Sequence, residues 1–173
     1  MIIEKFFNKK VEKEYFFVKG KIDLDTNYLI NKIKSCWGTE QQFEPVTNVK
    51  GLMTDWKFFN KEEKFLNPLR KIVYYIDGEI DFKPFNLRES WGIELRKNNF
   101  TTYHDHSGSS WSGVIYLNSS NQNLIFPEIK QEVKPEPGVF VIFSGFLNHG
   151  CAPNDENSSK FAIAFNMGEV KNW

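Results

Sequence analysis

The sequence predicts an all-β core of the jelly-roll or cupin-like type with N-terminal α-helices packed on one sheet, and three observations carry that expectation. Short strand-forming runs follow one another after residue 85, each bounded by Asn, Ser, Gly or Pro. One of these runs is apolar at every position, and helical periodicity is confined to the front of the chain. A chain of 173 residues can bury one core well and is short for two, so it reads as a single domain over 1–173, with 1–85 as helical and strand support and 86–168 as the β core.

In chain order, the first element is a helix over 25–38. Asp25 can cap its first turn, Leu29, Ile33, Cys36 and Trp37 recur on one side, and Gly38 stops it. A second helical region opens on the capping-box pattern Asn60-Lys-Glu-Glu63. It is expected to restart at Asn67-Pro68, because the residue before a proline is pushed out of the helical region. Leu69, Ile72, Val73 and Ile76 form its apolar stripe, which ends near Gly78.

Strands are then expected over 91–96, 100–106, 113–117, 123–126, 139–143 and 161–165, with a turn at Asn98-Asn99. The turn Pro135-Glu-Pro-Gly138 feeds the run Val139-Phe-Val-Ile-Phe143, whose lack of alternation predicts burial on both faces.

Composition excludes several classes. Aromatic residues make up 16% of the chain, which rules out a disordered protein. The 22 basic and 22 acidic residues balance, so a backbone-neutralising nucleic-acid binder is not expected. No apolar run approaches the roughly 20 residues of a membrane span, and the start of the chain has charges interrupting its apolar residues. Cys36 and Cys151 are too few for a disulfide scaffold and read as free thiols in a reducing cytosol, which places the protein in the cytoplasm. Pairing of two copies through sheets or N-terminal helices is an expectation that no motif specifies.

The three histidines carry the chemistry. His104 and His106 stand two apart in Thr101-Thr-Tyr-His-Asp-His-Ser107, and His149 stands alone in Phe146-Leu-Asn-His-Gly150. On a regular strand, residues i and i+2 share a face, so both early imidazoles could reach one ion with the late one as third ligand. Asp105 would point the other way. It is the fallback ligand if a bulge intervenes, or an acceptor that orients a ring N–H. The run Ser107 to Ser112 has the look of a phosphate cradle but lacks the strand–loop–helix setting and the lysine, so that reading is rejected.

From Trp91 to Gly168 the chain resembles the iron(II) and 2-oxoglutarate dependent oxygenase superfamily, and most of all its small bacterial and phage proteins. The stretches that carry the resemblance are Tyr103-His-Asp-His-Ser107, Ser112-Gly-Val-Ile-Tyr-Leu-Asn118, Phe126-Pro127, Pro137-Gly-Val-Phe-Val-Ile-Phe-Ser144, Asn148-His-Gly150 and Lys160-Phe-Ala-Ile-Ala-Phe-Asn166. The resemblance implies a double-stranded β-helix holding Fe(II) at one open end. His106 stands where the superfamily usually has a carboxylate, so His104, His106 and His149 would form a three-histidine metal site.

The resemblance also implies that Lys160, 11 residues after His149, pairs with the far carboxylate of the cosubstrate 2-oxoglutarate, in a place where Arg is usual. Tyr116 would contribute its phenol to the same carboxylate, and Tyr103 and Thr102 would touch cosubstrate or substrate. Arg96 and Arg88 are candidate substrate contacts, and Trp91 and Trp111 are candidates for the pocket mouth or for packing. Cys151 is left out of the ligand set because Ala152-Pro153 beside it predicts an irregular loop.

The activity implied is hydroxylation of a small molecule or a peptidyl side chain. Two alternatives remain: a three-histidine cupin-type dioxygenase without 2-oxoglutarate, and a non-catalytic jelly-roll binding module.

Overall fold

The structure is a computed structural model that describes residues 14–43, 47–79 and 85–169. Its elements are β1 (Phe17–Lys21), α1 (Thr26–Lys34), β2 (Val49–Lys50), β3 (Leu52–Met53), α2 (Glu63–Glu79), β4 (Phe85–Leu95), β5 (Phe100–His104), β6 (Trp111–Tyr116), β7 (Leu124–Phe126), β8 (Gln131–Val133), β9 (Val139–Ser144), β10 (His149–Cys151) and β11 (Lys160–Glu169). They build two antiparallel sheets, ordered β1-β9-β6-β11-β4-β3 and β2-β5-β10-β7-β8, in a topology consistent with a jelly-roll-like double-stranded β-helix. Among the described residues, no helix is long and apolar enough to cross a membrane.

Two apolar clusters hold the layers together. Leu29 and Ile33 of α1 and Phe65, Leu69, Ile72 and Ile76 of α2 pack on Ile115, Ile142, Ile163 and Phe165 of the six-stranded sheet. Tyr116, Val141, Phe143 and Ala162 of that sheet pack from its other face on Leu124, Phe126 and Val133 of the second sheet. Each fully buried Leu, Ile or Phe contributes about 1.5–3 kcal/mol, so this double burial sets which sheet face the helices cover. The apolar run in β9 serves both clusters, as its lack of alternation predicted: Phe140 and Ile142 face the helices, Val141 and Phe143 the second sheet.

Local signals explain most of the front half. The Asp25 side chain accepts from the Tyr28 N–H at 3.2 Å, as expected, but α1 ends at Lys34 with Ser35 as its C-cap, and Gly38, expected to stop the helix, lies in the turn beyond it at a φ of 77°. Gly138, at φ 79°, lets the chain pass Ile22, whose carbonyl oxygen would lie 2.1 Å from any Cβ added there.

Other expectations are corrected. Helix α2 is continuous through Pro68 and does not restart there. Pro68 falls in its second turn, so only the hydrogen bond to the exposed Lys64 is forgone. The predicted capping box is not formed, since the Asn60 N–H donates to the Lys57 carbonyl at 3.1 Å and the Glu63 carboxylate pairs with Arg70 at 2.7 Å. Asn60 instead ties the loop to the sheet, donating to the Arg88 carbonyl at 3.1 Å and accepting from the Ser90 hydroxyl at 2.7 Å.

The front also supplies three strands that the pattern did not single out. β1 pairs with β9, and the two-residue strands β2 and β3 pair with β5 and β4. Strand β4 begins at Phe85, six residues before its predicted start, and β8 and β10 were not predicted as strands.

Candidate metal centre

One face of the six-stranded sheet forms a ladder of side chains beneath a pocket. Ile93, Ala162 and Tyr116 make one rung across β4, β11 and β6, and Trp91, Ala164 and Val114 make the next. Lys160, opposite Leu95, stands at one end of the ladder, and a rung of Glu89, Asn166 and Ser112 stands at the other. Small alanines at the centre leave space. The pocket holds about 600 Å³ counting its open mouth, and its far wall carries His104, His149 and Cys151 from β5 and β10.

The three imidazoles converge. Their candidate ligand atoms all lie within 4.8 Å of one another, and the ring centroids are separated by 4.9 Å for His104–His106, 4.5 Å for His104–His149 and 5.2 Å for His106–His149. An imidazole bound at the usual metal–nitrogen distance has its centroid about 3.2 Å from the ion, so two rings sit about 4.5 Å apart at right angles and about 5.2 Å apart at tetrahedral angles. The observed separations span those values, and the rings therefore fit one ion.

Each ring is placed by a different device. His149 faces His104 directly in the β10–β5 register, and a register irregularity follows it before Cys151. Phe126 and Phe143 pack behind His149, with centroids at 5.5 and 4.7 Å. His106 does not sit on the strand with His104 as predicted, because β5 ends at His104. A turn carries it instead: Asp105 accepts from the Ser107 N–H at 3.1 Å, and the His106 N–H donates to the Gly145 carbonyl at 2.6 Å.

Asp105 is exposed and not part of the cluster, placed there by this turn and not by strand alternation. Its carboxyl is held below the ordinary range, chiefly by the Ser107 hydrogen bonds.

The environment favours neutral rings. Burial lowers the imidazole pKa of all three, to about 4 for His106 and about 3 for His149, and the neighbouring imidazoles add to the effect on those two. A neutral ring is the metal-binding form. His104 and His149 each turn Nδ1 onto a backbone carbonyl, of Thr102 at 2.7 Å and Leu147 at 2.9 Å, which leaves Nε2 free to ligate.

Lys160 is 4% exposed, and its ammonium donates to the Gln122 carbonyl at 3.1 Å. It lies 3.6 Å from the Cys151 sulfur and 6.0 Å from the Tyr116 ring centroid. No acidic side chain lines this pocket, and none pairs with Lys160 among the described residues. Burial pushes its pKa down. An ammonium this deep without a counter-charge costs several kcal/mol, so the position suits an anionic ligand. Tyr116 is 2% exposed, and burial pushes its phenol pKa up, so it stays a neutral hydroxyl.

Other predicted contacts lie elsewhere. The Thr102 hydroxyl turns to Asn48, and Thr101 lines the pocket in its place. Tyr103 is 51% exposed and outside the lining. Arg96 pairs with Glu94 at 3.0 Å, and Arg88 donates to the Gly108 carbonyl at 2.5 Å, so neither guanidinium enters the pocket. Trp91 forms part of the wall with its ring 6.4 Å from that of His106, whereas Trp111 packs against the helix-side core.

Sequence reasoning placed one pocket residue in an irregular loop and missed another. Cys151 is on a strand and lines the pocket, despite the proline two residues on. Gln122 anchors Lys160 through its carbonyl while its side chain donates to the Asn99 and Ala152 carbonyls at 2.9 and 2.5 Å. No motif signal marks a backbone carbonyl in a loop.

No protein-family profile matches this sequence, and no curated protein resembles it in sequence. Solved structures do resemble it in shape. The viral collagen prolyl hydroxylase of Paramecium Bursaria Chlorella virus-1, in a 2OG complex, superposes with a TM-score of 0.70 at 14% identity, covering 91% of this chain and 97% of that one. A prolyl-4-hydroxylase of Pseudomonas putida gives 0.69 at 15% identity, covering 90% and 93%. An oxidoreductase of the 2OG-Fe(II) oxygenase family from Burkholderia pseudomallei gives 0.59 at 13% identity, covering 83% and 77%. At these identities the likeness shows a shared fold.

Proposed function

We propose that this protein is an iron(II) and 2-oxoglutarate dependent oxygenase acting on a small molecule or a peptidyl side chain, with His104, His106 and His149 as the metal ligands. The observation that carries the reading is the pairing of two features in one pocket: three imidazoles spaced for one ion, and a buried, carboxylate-free Lys160. Fold likeness to oxygenases of this class supports it. The helices pack on the sheet face opposite the pocket, in keeping with one domain in which the front half supports the site.

Three neutral imidazoles would leave a bound divalent ion its full charge and further positions free, so an anionic two-point ligand would be favoured beside them. Lys160 would bind the far carboxylate of 2-oxoglutarate, with Tyr116 offering a neutral hydroxyl beside it. Ala162 and Ala164 leave room for the carbon chain between these groups and the metal. Bound iron and 2-oxoglutarate supply the oxidising chemistry, and the protein orients them and keeps bulk water out of an apolar pocket.

The test is anaerobic loading with iron(II) followed by 2-oxoglutarate. The expected results are a metal-to-cosubstrate absorption band and succinate formed on admitting oxygen. A second reading, a three-histidine dioxygenase whose substrate chelates iron directly, is favoured by one feature, His106 in the usual carboxylate position. It predicts no band and no succinate, with iron binding intact.

A further inference from the structure

His104 and His149 are oriented alike, each with Nδ1 on the carbonyl of the residue two before it. A carbonyl oxygen only accepts, so these rings carry the proton on Nδ1 and keep the Nε2 lone pair for an ion. His106 is served differently. Its Nδ1 faces the side-chain amide of Asn166, with Nδ2 3.5 Å away.

Asn166 is 4% exposed and lies on β11 directly opposite both Glu89 of β4 and Ser112 of β6. The amide is clamped from both sides: the Ser112 hydroxyl donates to its Oδ1 at 2.6 Å, and its Nδ2 donates to the Glu89 carboxylate at 2.6 Å. An ionised carboxylate accepts and cannot donate, so Glu89 selects which edge of the amide faces it. That same N–H-bearing edge faces His106.

We propose that the row Glu89–Asn166–Ser112 is the positioning device for His106 and that, in the metal-free protein, it holds this imidazole in the tautomer opposite to that of His104 and His149. This rests on reading the three histidines as ligands of one ion. The amide N–H makes the His106 Nδ1 the acceptor and leaves the proton on Nε2. Ligation through Nε2 then requires that proton to leave for solvent and another to be taken up at Nδ1, which sets the new ring N–H against the amide N–H that Glu89 holds in place. His104 and His149 are thus a preset pair, and His106 is the ligand that engages last.

Long-range 1H–15N NMR of the metal-free protein with labelled histidine, at a pH where all three rings are neutral, tests this. The expected spectrum has two Nδ1–H rings and one Nε2–H ring, the latter assigned to His106 by its disappearance in H106N. E89Q, whose own amide can offer either edge, should move the His106 ring alone towards Nδ1–H. N166D made together with E89Q, so that two carboxylates do not face each other, should move it fully. One tautomer shared by all three rings in the wild type, or a His106 ring indifferent to both changes, overturns the proposal.

Circular dichroism checks that each variant folds, and E89Q, at a half-buried position, carries the test if the double variant does not. The readout needs neither iron nor 2-oxoglutarate, so it separates from the oxygenase reading. A protein that makes no succinate can still show the odd tautomer, and an active one can lack it.

Discussion

His104 and His149 stand directly opposite one another across the β5–β10 pair, with their ring centroids 4.5 Å apart. A slip of one residue in that register would send one ring to the opposite face, so the pairing itself builds two-thirds of the proposed metal site. Only His106 depends on a turn.

Removing either member of the opposed pair should therefore end metal binding. H104A and H149A are expected to lower iron(II) or cobalt(II) affinity by more than about 100-fold. D105A should stay within about twofold of the wild type, because that carboxylate lies in solvent outside the cluster. Titration of chelator-stripped protein reads both, and tight binding by H149A would remove the ion from the proposed place.

Lys160 should separate stability from function. K160M keeps the side-chain length and removes a buried ammonium that has no carboxylate partner among the described residues. The variant is expected to melt about 2–4 °C higher, since each kcal/mol gained shifts a domain of this size by that much. Its 2-oxoglutarate affinity should fall about 10- to 100-fold, the worth of a charge-assisted hydrogen bond, with metal affinity unchanged. A melting curve and a titration of the absorption band give the two halves, and unchanged cosubstrate affinity would remove Lys160 from the 2-oxoglutarate site.

The pocket floor should be sensitive to volume. Ala164 stands between Trp91 and Val114 on the ladder, beneath the space proposed for the cosubstrate. A164L is expected to abolish the 2-oxoglutarate band while iron still binds, at a cost of about 1–3 kcal/mol in stability from overpacking. Band formation at wild-type cosubstrate concentration would show that the ligand lies elsewhere.

Acid should destabilise the metal-free protein through the histidine cluster. The folded-state pKa values of His106 and His149 are depressed to about 4 and about 3, below the ordinary imidazole value. Between that value and the depressed ones the unfolded chain binds more protons, so stability is complete above about pH 6.5 and drains away as pH falls towards 3. Urea melts at pH 7.5 and 5 should show this loss, and the loss should shrink in H149N. An equal loss in the variant would locate the acid sensitivity outside the cluster.

How much of this was legible depends on distance along the chain. The β9 run, the Asp25 cap and the turn at Gly138 are local signals, and each appears in the fold where its chemistry required it. Helix α2 shows the limit of such reasoning. Pro68 predicted a break, but tertiary packing of Phe65, Leu69, Ile72 and Ile76 on the sheet outweighs one missing hydrogen bond in the second turn. The short strands β2 and β3 were invisible because two residues carry no periodicity, and they exist through the partners they pair with.

The sequence by itself determined the strand-rich core, the helices laid over it, and the three histidines as the candidate ligand set, since spacing and alternation are properties of neighbouring residues. Only the tertiary structure decided that β5 stops at His104 and a turn delivers His106, that Thr101 and Cys151 line the pocket while Thr102, Tyr103 and Arg96 do not, and that Glu89, Asn166 and Ser112 meet in one row. Those facts are set by cross-strand register between segments up to 77 residues apart. Local pattern tells which face of a strand is apolar, but which residues meet across strands depends on how distant segments align when the two cores close.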